Sequence, residues 1–170
     1  YYNAARNSLD ALAKAESIDD KNSMLHFNGV LGYIYMKQEN YKLSADFYRT
    51  ELQLANEIKD SFLLGHALLD QAELNFTRKN YDCAYNTLDE ALFVYNHIDT
   101  KKPNNLLNLG ERQAYIFNKQ ALVLYATNRL PEAFNYSNRA IALTDSFACN
   151  LYDIAEYYIT NGSILNVLNR

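Results

Sequence analysis

Apolar residues return along this chain at steps of three and four. Between Leu31 and Asp60 they fall at Leu31, Ile34 and Tyr35, then at Tyr41, Ala45, Tyr48, Leu52 and Ala55. That spacing lines one face of a helix, since residues three and four apart share a face. The polar run Gln38-Glu39-Asn40 interrupts it, and Asn40 is placed to accept from the orphan N–H groups of the helix that follows. The stretch therefore predicts two helices joined by a tight turn.

The same pattern recurs. Tyr1-x-x-Ala4, Tyr41-x-x-Ser44 and Tyr81-x-x-Ala84 stand 40 residues apart, and Leu130-x-x-Ala133 follows 49 later. Leu12, Leu52, Leu92 and Ile141 keep these steps, as do Ile18, Ile58, Ile98 and Phe147. On the preceding helix Gly32, Ala72, Ala121 and Gly162 step by 40, 49 and 41. Self-similarity at a fixed period of this size is the signature of a stacked array, in which each unit leaves an apolar flank that its neighbour covers. Eight helices are predicted, near 1–17, 22–38, 41–58, 61–78, 81–97, 106–127, 131–145 and 149–168. The fold class expected is all-α, a right-handed superhelix of antiparallel helix pairs. The register divides the chain into a half unit 1–20, units 21–60, 61–100 and 101–147, and a half unit 148–170. Both ends fall mid-unit, which suggests a piece of a longer protein. The 49-residue step places an insertion around Asp99 to Gly110, where Pro103 and Asn104-Asn105 argue for a longer loop.

Composition supports the helical reading. The chain has 170 residues with 5 Gly and 2 Pro, too little turn material for a many-stranded sandwich or barrel. A net charge of −4 gives no general attraction for phosphate backbones or anionic membranes, so direct nucleic-acid binding is not expected. No apolar run approaches the roughly 18 residues that span a bilayer, so no membrane insertion is expected. The 15 Tyr suit half-buried positions, with an apolar ring and a wet hydroxyl. Cys83 and Cys149 show no ligand spacing, and each is expected to be a small core residue.

The run Leu31-Gly32-x-x-Tyr35, followed by Tyr41, Ser44, Tyr48 and Leu52, resembles the tetratricopeptide repeat (TPR), as do Tyr81, Ala84, Ala91 and Leu92. The usual Trp is absent, Pro is missing at unit ends, and Ser44 and Glu51 stand where Ala is usual. The step of 40 exceeds the usual 34. The longer units are similar to those of bacterial sensor kinases and transcriptional regulators. The resemblance implies a concave groove, lined by the first helix of each unit, that holds a protein or peptide. On that face it places His26, Tyr33, Met36 and Lys37, then His66, Leu69, Asp70, Glu73 and Phe76, then Tyr115, Asn118, Lys119, Leu122 and Tyr125, with Glu156 and Asn166 beyond.

Little else points to chemistry. The glycines are scattered singly, and no phosphate loop, HExxH or GxSxG is present. Adjacent acidic pairs such as Asp19-Asp20 and Asp89-Glu90 read as solvated charge. Asn75, Asn135 and Asn161 begin glycosylation triplets that fall in predicted helices and read as chance matches. His26 and His66 share a register position, which puts them about 10 Å apart on neighbouring helices, too far for one shared metal. No catalytic, cofactor or metal site is expected. Asn118 and Lys119 are the one pair suited to grip a terminal carboxylate, and Asp70 with Glu73 would repel it. The function expected is a non-catalytic interaction module, the sensory or scaffold part of a larger bacterial regulator. The alternative is a structural or self-associating segment of a longer solenoid, whose exposed repeat ends would admit a homodimer.

Overall fold

A computed structural model describes residues 2–98, 103–144 and 150–169, the side chains of 103–108 excepted. The architecture is all-α: eight helices and no strand among the described residues. They are α1 (Tyr2–Ser17), α2 (Lys21–Lys37), α3 (Tyr41–Ile58), α4 (Ser61–Thr77), α5 (Tyr81–Asn96), α6 (Pro103–Ala126), α7 (Leu130–Thr144) and α8 (Leu151–Leu168). The chain divides into two compact units, Tyr1–Thr87 and Leu88–Arg170. In the first, α1 packs on α2, α2 on α3 and α3 on α4, while α4 also reaches α2. In the second, α6 packs on α7 and α7 on α8, with α6 against α8. A helix thus meets both its chain neighbour and the helix after that, the arrangement a stacked array requires.

The turns explain the regular step. Asp19, Glu39, Lys59 and Lys79 all take φ between 54° and 62°, exactly one per 20 residues, and Asn128 repeats this at 60°. Each is a left-handed C-terminal stop. The N–H groups of Asp20, Asn40, Asn80 and Arg129 then reach back to the carbonyls of Ala15, Tyr35, Asn75 and Leu124, at 3.0, 2.9, 2.8 and 2.8 Å. These six-to-one bonds satisfy carbonyls the helix leaves open. The same residue then opens the next helix: Asp20 Oδ1 accepts from Ser23 N, and Asn40 Oδ1 from Leu43 N. Sharing one residue between two caps keeps these turns to three residues and turns the chain back on itself.

Small residues set the close approaches. A Cβ added to Gly32 would lie 2.5 Å from two ring carbons of Tyr48. Only glycine lets α3 seat that ring against the α2 backbone. Met36, Tyr48 and Leu74 then form one core cluster, and Leu25, Leu54, Ala55 and Ala67 another. In the second unit Ala114, Phe117, Ala140 and Tyr157 play the same part.

Three expectations need correction. Tyr48, Tyr95 and Tyr157 are 1% exposed, so these tyrosines are core residues and not half-wet ones. Cys83 is exposed; it lies on the outer face of α5, beside Asp82 and away from buried Ala84 and Leu88. Cys149 lies outside the described residues. The predicted loop at 99–110 is helical from Pro103 onward, because proline is favourable in a first turn where its missing N–H is not needed. Residues 99–102 lie outside the described residues.

Candidate binding site

The first unit holds a cleft of about 470 Å³. Asn22, Leu25, His26, Gly29, Val30 and Tyr33 of α2 line it, with Glu51 of α3 and Leu63, His66 and Asp70 of α4. Packing α2 beside α4 brings together four residues placed on one face from the sequence: His26, Tyr33, His66 and Asp70. Lys37 stands with its Nζ 5.1 Å from the centre of the Tyr33 ring, one turn further along α2. Phe76 is half-buried, edge-on to Tyr81 at 5.7 Å. Met36 and Leu69 are buried instead, Met36 because the final turn of α2 leans on Tyr48 and Leu74.

Glu51 is the residue the sequence reading passed over, noting it only as a departure from alanine. It is 2% exposed, and its Oε2 has no hydrogen-bond partner. His66 Nδ1 stands 3.9 Å from Glu51 Oε1 and 3.6 Å from Asp70 Oδ2. Burial, and then the neighbouring Glu51 charge, raise the Asp70 carboxyl to about 7, against a smaller lowering by His66. The closeness of the two carboxyl groups is one reason Asp70 keeps its proton to higher pH than a free carboxyl. Glu73, also on α4, adds a further raising influence. The Tyr48 hydroxyl is buried beneath this group without a partner, and burial with the carboxylates around it pushes its ionisation well up. A buried carboxylate with an open acceptor costs several kcal/mol unless something pairs with it.

The repeat register shows that this cost is local. Glu51 shares its position with Ala11, Ala91 and Ala140. Gly29, facing it, shares its position with Leu69 and Asn118. A Cβ on Gly29 would lie 2.7 Å from Glu51 Oε1. Where the other units hold a larger residue and alanine, this one holds glycine and a carboxylate.

The second unit gathers its own polar group. Asn118 Nδ2 donates to Glu156 Oε1 at 3.2 Å, and Lys119 Nζ reaches the same oxygen at 3.5 Å. The pair suited to grip a foreign carboxylate therefore holds one from α8 already. Asn118 is fully buried, which removes it from any open face. Lys119 also stands 5.1 Å from the centre of the Tyr115 ring. Leu122 and Tyr125 are half-buried and Asn166 is exposed. Buried Gln120 donates to Asp89 at 2.5 Å, tying α6 to α5.

No family model matches the chain, and no curated protein does. Among solved structures, the crystal structure of BtubC (BKLC) from P. vanneervenii matches with a TM-score of 0.55 at 15% identity, over 99% of this chain and 84% of that one. At that identity the likeness speaks to architecture alone: the chain has an all-helical, repeat-like fold.

Proposed function

We propose that the chain is a TPR-type, non-catalytic module that binds a protein or peptide along the first helices of its units. The observation that carries this reading is the pair of neighbouring first helices in each unit, α2 with α4 and α6 with α8, bearing accessible aromatic and charged side chains. Tyr33 with Lys37 and Tyr115 with Lys119 each set an ammonium beside a phenol ring. The rings offer stacking area to a partner chain, and Lys37 a directed donor, Lys119 being held by Glu156. The module would serve as the sensory or scaffold part of a larger regulator. Pulldown with the isolated module, against its Tyr33→Ala/Phe76→Ala/Tyr125→Ala variant, tests the reading. The triple variant should lose the partner. A partner retained at unchanged affinity places the binding surface elsewhere.

A second reading, self-association, is favoured by α8. Leu151, Tyr152, Tyr158 and Ile159 are all more than half exposed and fall on one stripe. Sedimentation over a wide concentration range decides: a monomer throughout removes it.

A further inference from the structure

We infer that Glu51, His66 and Asp70 form a binding site for a first-row divalent transition ion, zinc fitting best, at the floor of the α2–α3–α4 cleft. The three side chains each present one ligand atom, and these atoms lie within 4.8 Å of one another. Ligands about 2.1 Å from a tetrahedral ion stand about 3.4 Å apart. The 3.6 and 3.9 Å separations from His66 Nδ1 need only a slight inward movement. His66 and Asp70 are one helical turn apart, so one rigid element sets two donors on one face.

The second, independent observation is Glu51 itself. It lines the cleft, is 2% exposed, and keeps an unpartnered Oε2, the kind of buried acceptor that a cation satisfies. Gly29 makes the room, and the alanines at the same register position show that stacking the helices does not require a carboxylate there. The donor set selects the ion. Two carboxylates and one imidazole suit zinc or a neighbouring transition ion, whereas magnesium and calcium prefer oxygen donors alone. A four-coordinate ion held by these three residues would take its fourth ligand from water or a bound molecule. His26 also lines the cleft but contributes no ligand atom to the cluster. The metal partner of His66 is thus a carboxylate pair, not the second histidine.

The test uses tag-free protein dialysed against chelator, titrated with zinc chloride by calorimetry, and with cobalt(II) as an absorbing substitute. One equivalent of zinc should bind, and cobalt should show the visible bands of a four-coordinate ion. Glu51→Ala and His66→Gln should each weaken zinc at least about tenfold. His26→Gln should leave it unchanged. Glu51→Ala carries the residue of the other units, so its helical circular dichroism should persist; Glu51→Gln keeps the shape if it does not. Failure of zinc to bind overturns the inference. So does zinc binding that Glu51→Ala and Glu51→Gln leave intact, which puts the ion elsewhere. Saturable binding of argininamide without zinc binding overturns it in favour of a cationic side chain as occupant.

Discussion

The contact between Gly32 and Tyr48 can be weighed by a double substitution. In Gly32→Ala the new methyl meets Tyr48 Cδ1 and Cε1 at 2.5 Å and Cγ at 3.0 Å. The ring is 1% exposed and wedged against Met36 and Leu74, so it has nowhere to swing. Overpacking a core costs about 1–3 kcal/mol, and two ring carbons this close put the cost near about 3. Alanine in place of a mid-helix glycine returns about 1 kcal/mol. The expected net effect is a loss of about 2 kcal/mol. The register supplies the compensating change, since the same two positions hold Ala72 with Leu88 in the next unit. In a Tyr48→Leu background, Gly32→Ala should therefore stabilise by about 1 kcal/mol, giving a coupling of about 3 kcal/mol. Urea unfolding followed by helical circular dichroism on the four proteins measures it. If Gly32→Ala has the same sign and size in both backgrounds, the close approach does not set the α2–α3 packing, and the reasoning fails.

Further expectations follow from the turns, the caps and the surface. Glu39→Gly and Lys79→Gly relieve a left-handed residue and should each raise stability by about 0.5–1 kcal/mol. Gln38→Gly, at φ −89°, should lower it, and thermal unfolding separates the two directions. Hydrogen bonds from the Ser23 hydroxyl and N–H lower the Asp20 carboxyl below its ordinary value. A depressed carboxylate stabilises the fold above its unfolded value of 3.8 and loses that contribution as pH falls through the folded one. Asp20→Asn should thus lag wild type near pH 6, with the gap narrowing as pH is lowered below 3.8, read from urea midpoints. Cys83 should react with a thiol reagent in the folded protein without denaturant, and a protected thiol would contradict its exposed placement.

The helices and their register were legible because several signals coincide on the same residues. Asn40 ends one helix and caps the next, so a single polar residue marks a boundary twice. A small residue at Gly32 was legible because Ala72, Ala121 and Gly162 share its register. The groove was legible only in part. A three-four periodicity says which side of a helix is apolar, but the edge between a core and an open face falls within one side-chain width. Tyr33 and Lys37 lie on the open side of that edge. Met36, Leu69 and Asn118 lie on the buried side. Periodicity also says nothing of a charge that falls on the apolar stripe, because it scores Glu51 as a mismatch and moves on.

The two departures at α2 and α3 differ in kind, and that difference separates packing from function. At Gly32 and Tyr48 the unit trades a small residue for a large ring, where Ala72 with Leu88 and Ala121 with Ser137 occupy the same positions. Volume accounts for that exchange, since glycine on one side makes room for the ring on the other. At Gly29 and Glu51 volume is also conserved against Leu69 with Ala91 and Asn118 with Ala140. Yet leucine or methionine would fill the space opposite Gly29 at no electrostatic cost, whereas a buried carboxylate with one oxygen left unsatisfied is unfavourable. Packing therefore explains why the residue at 51 is large and leaves its charge unexplained. The charge finds its reason only in what surrounds it: His66 on one side, Asp70 beside it, and an open cleft above. A repeat protein carries its own controls in its other units, and against those controls, Ala11, Ala91 and Ala140, the carboxylate at 51 is something the stack does not require.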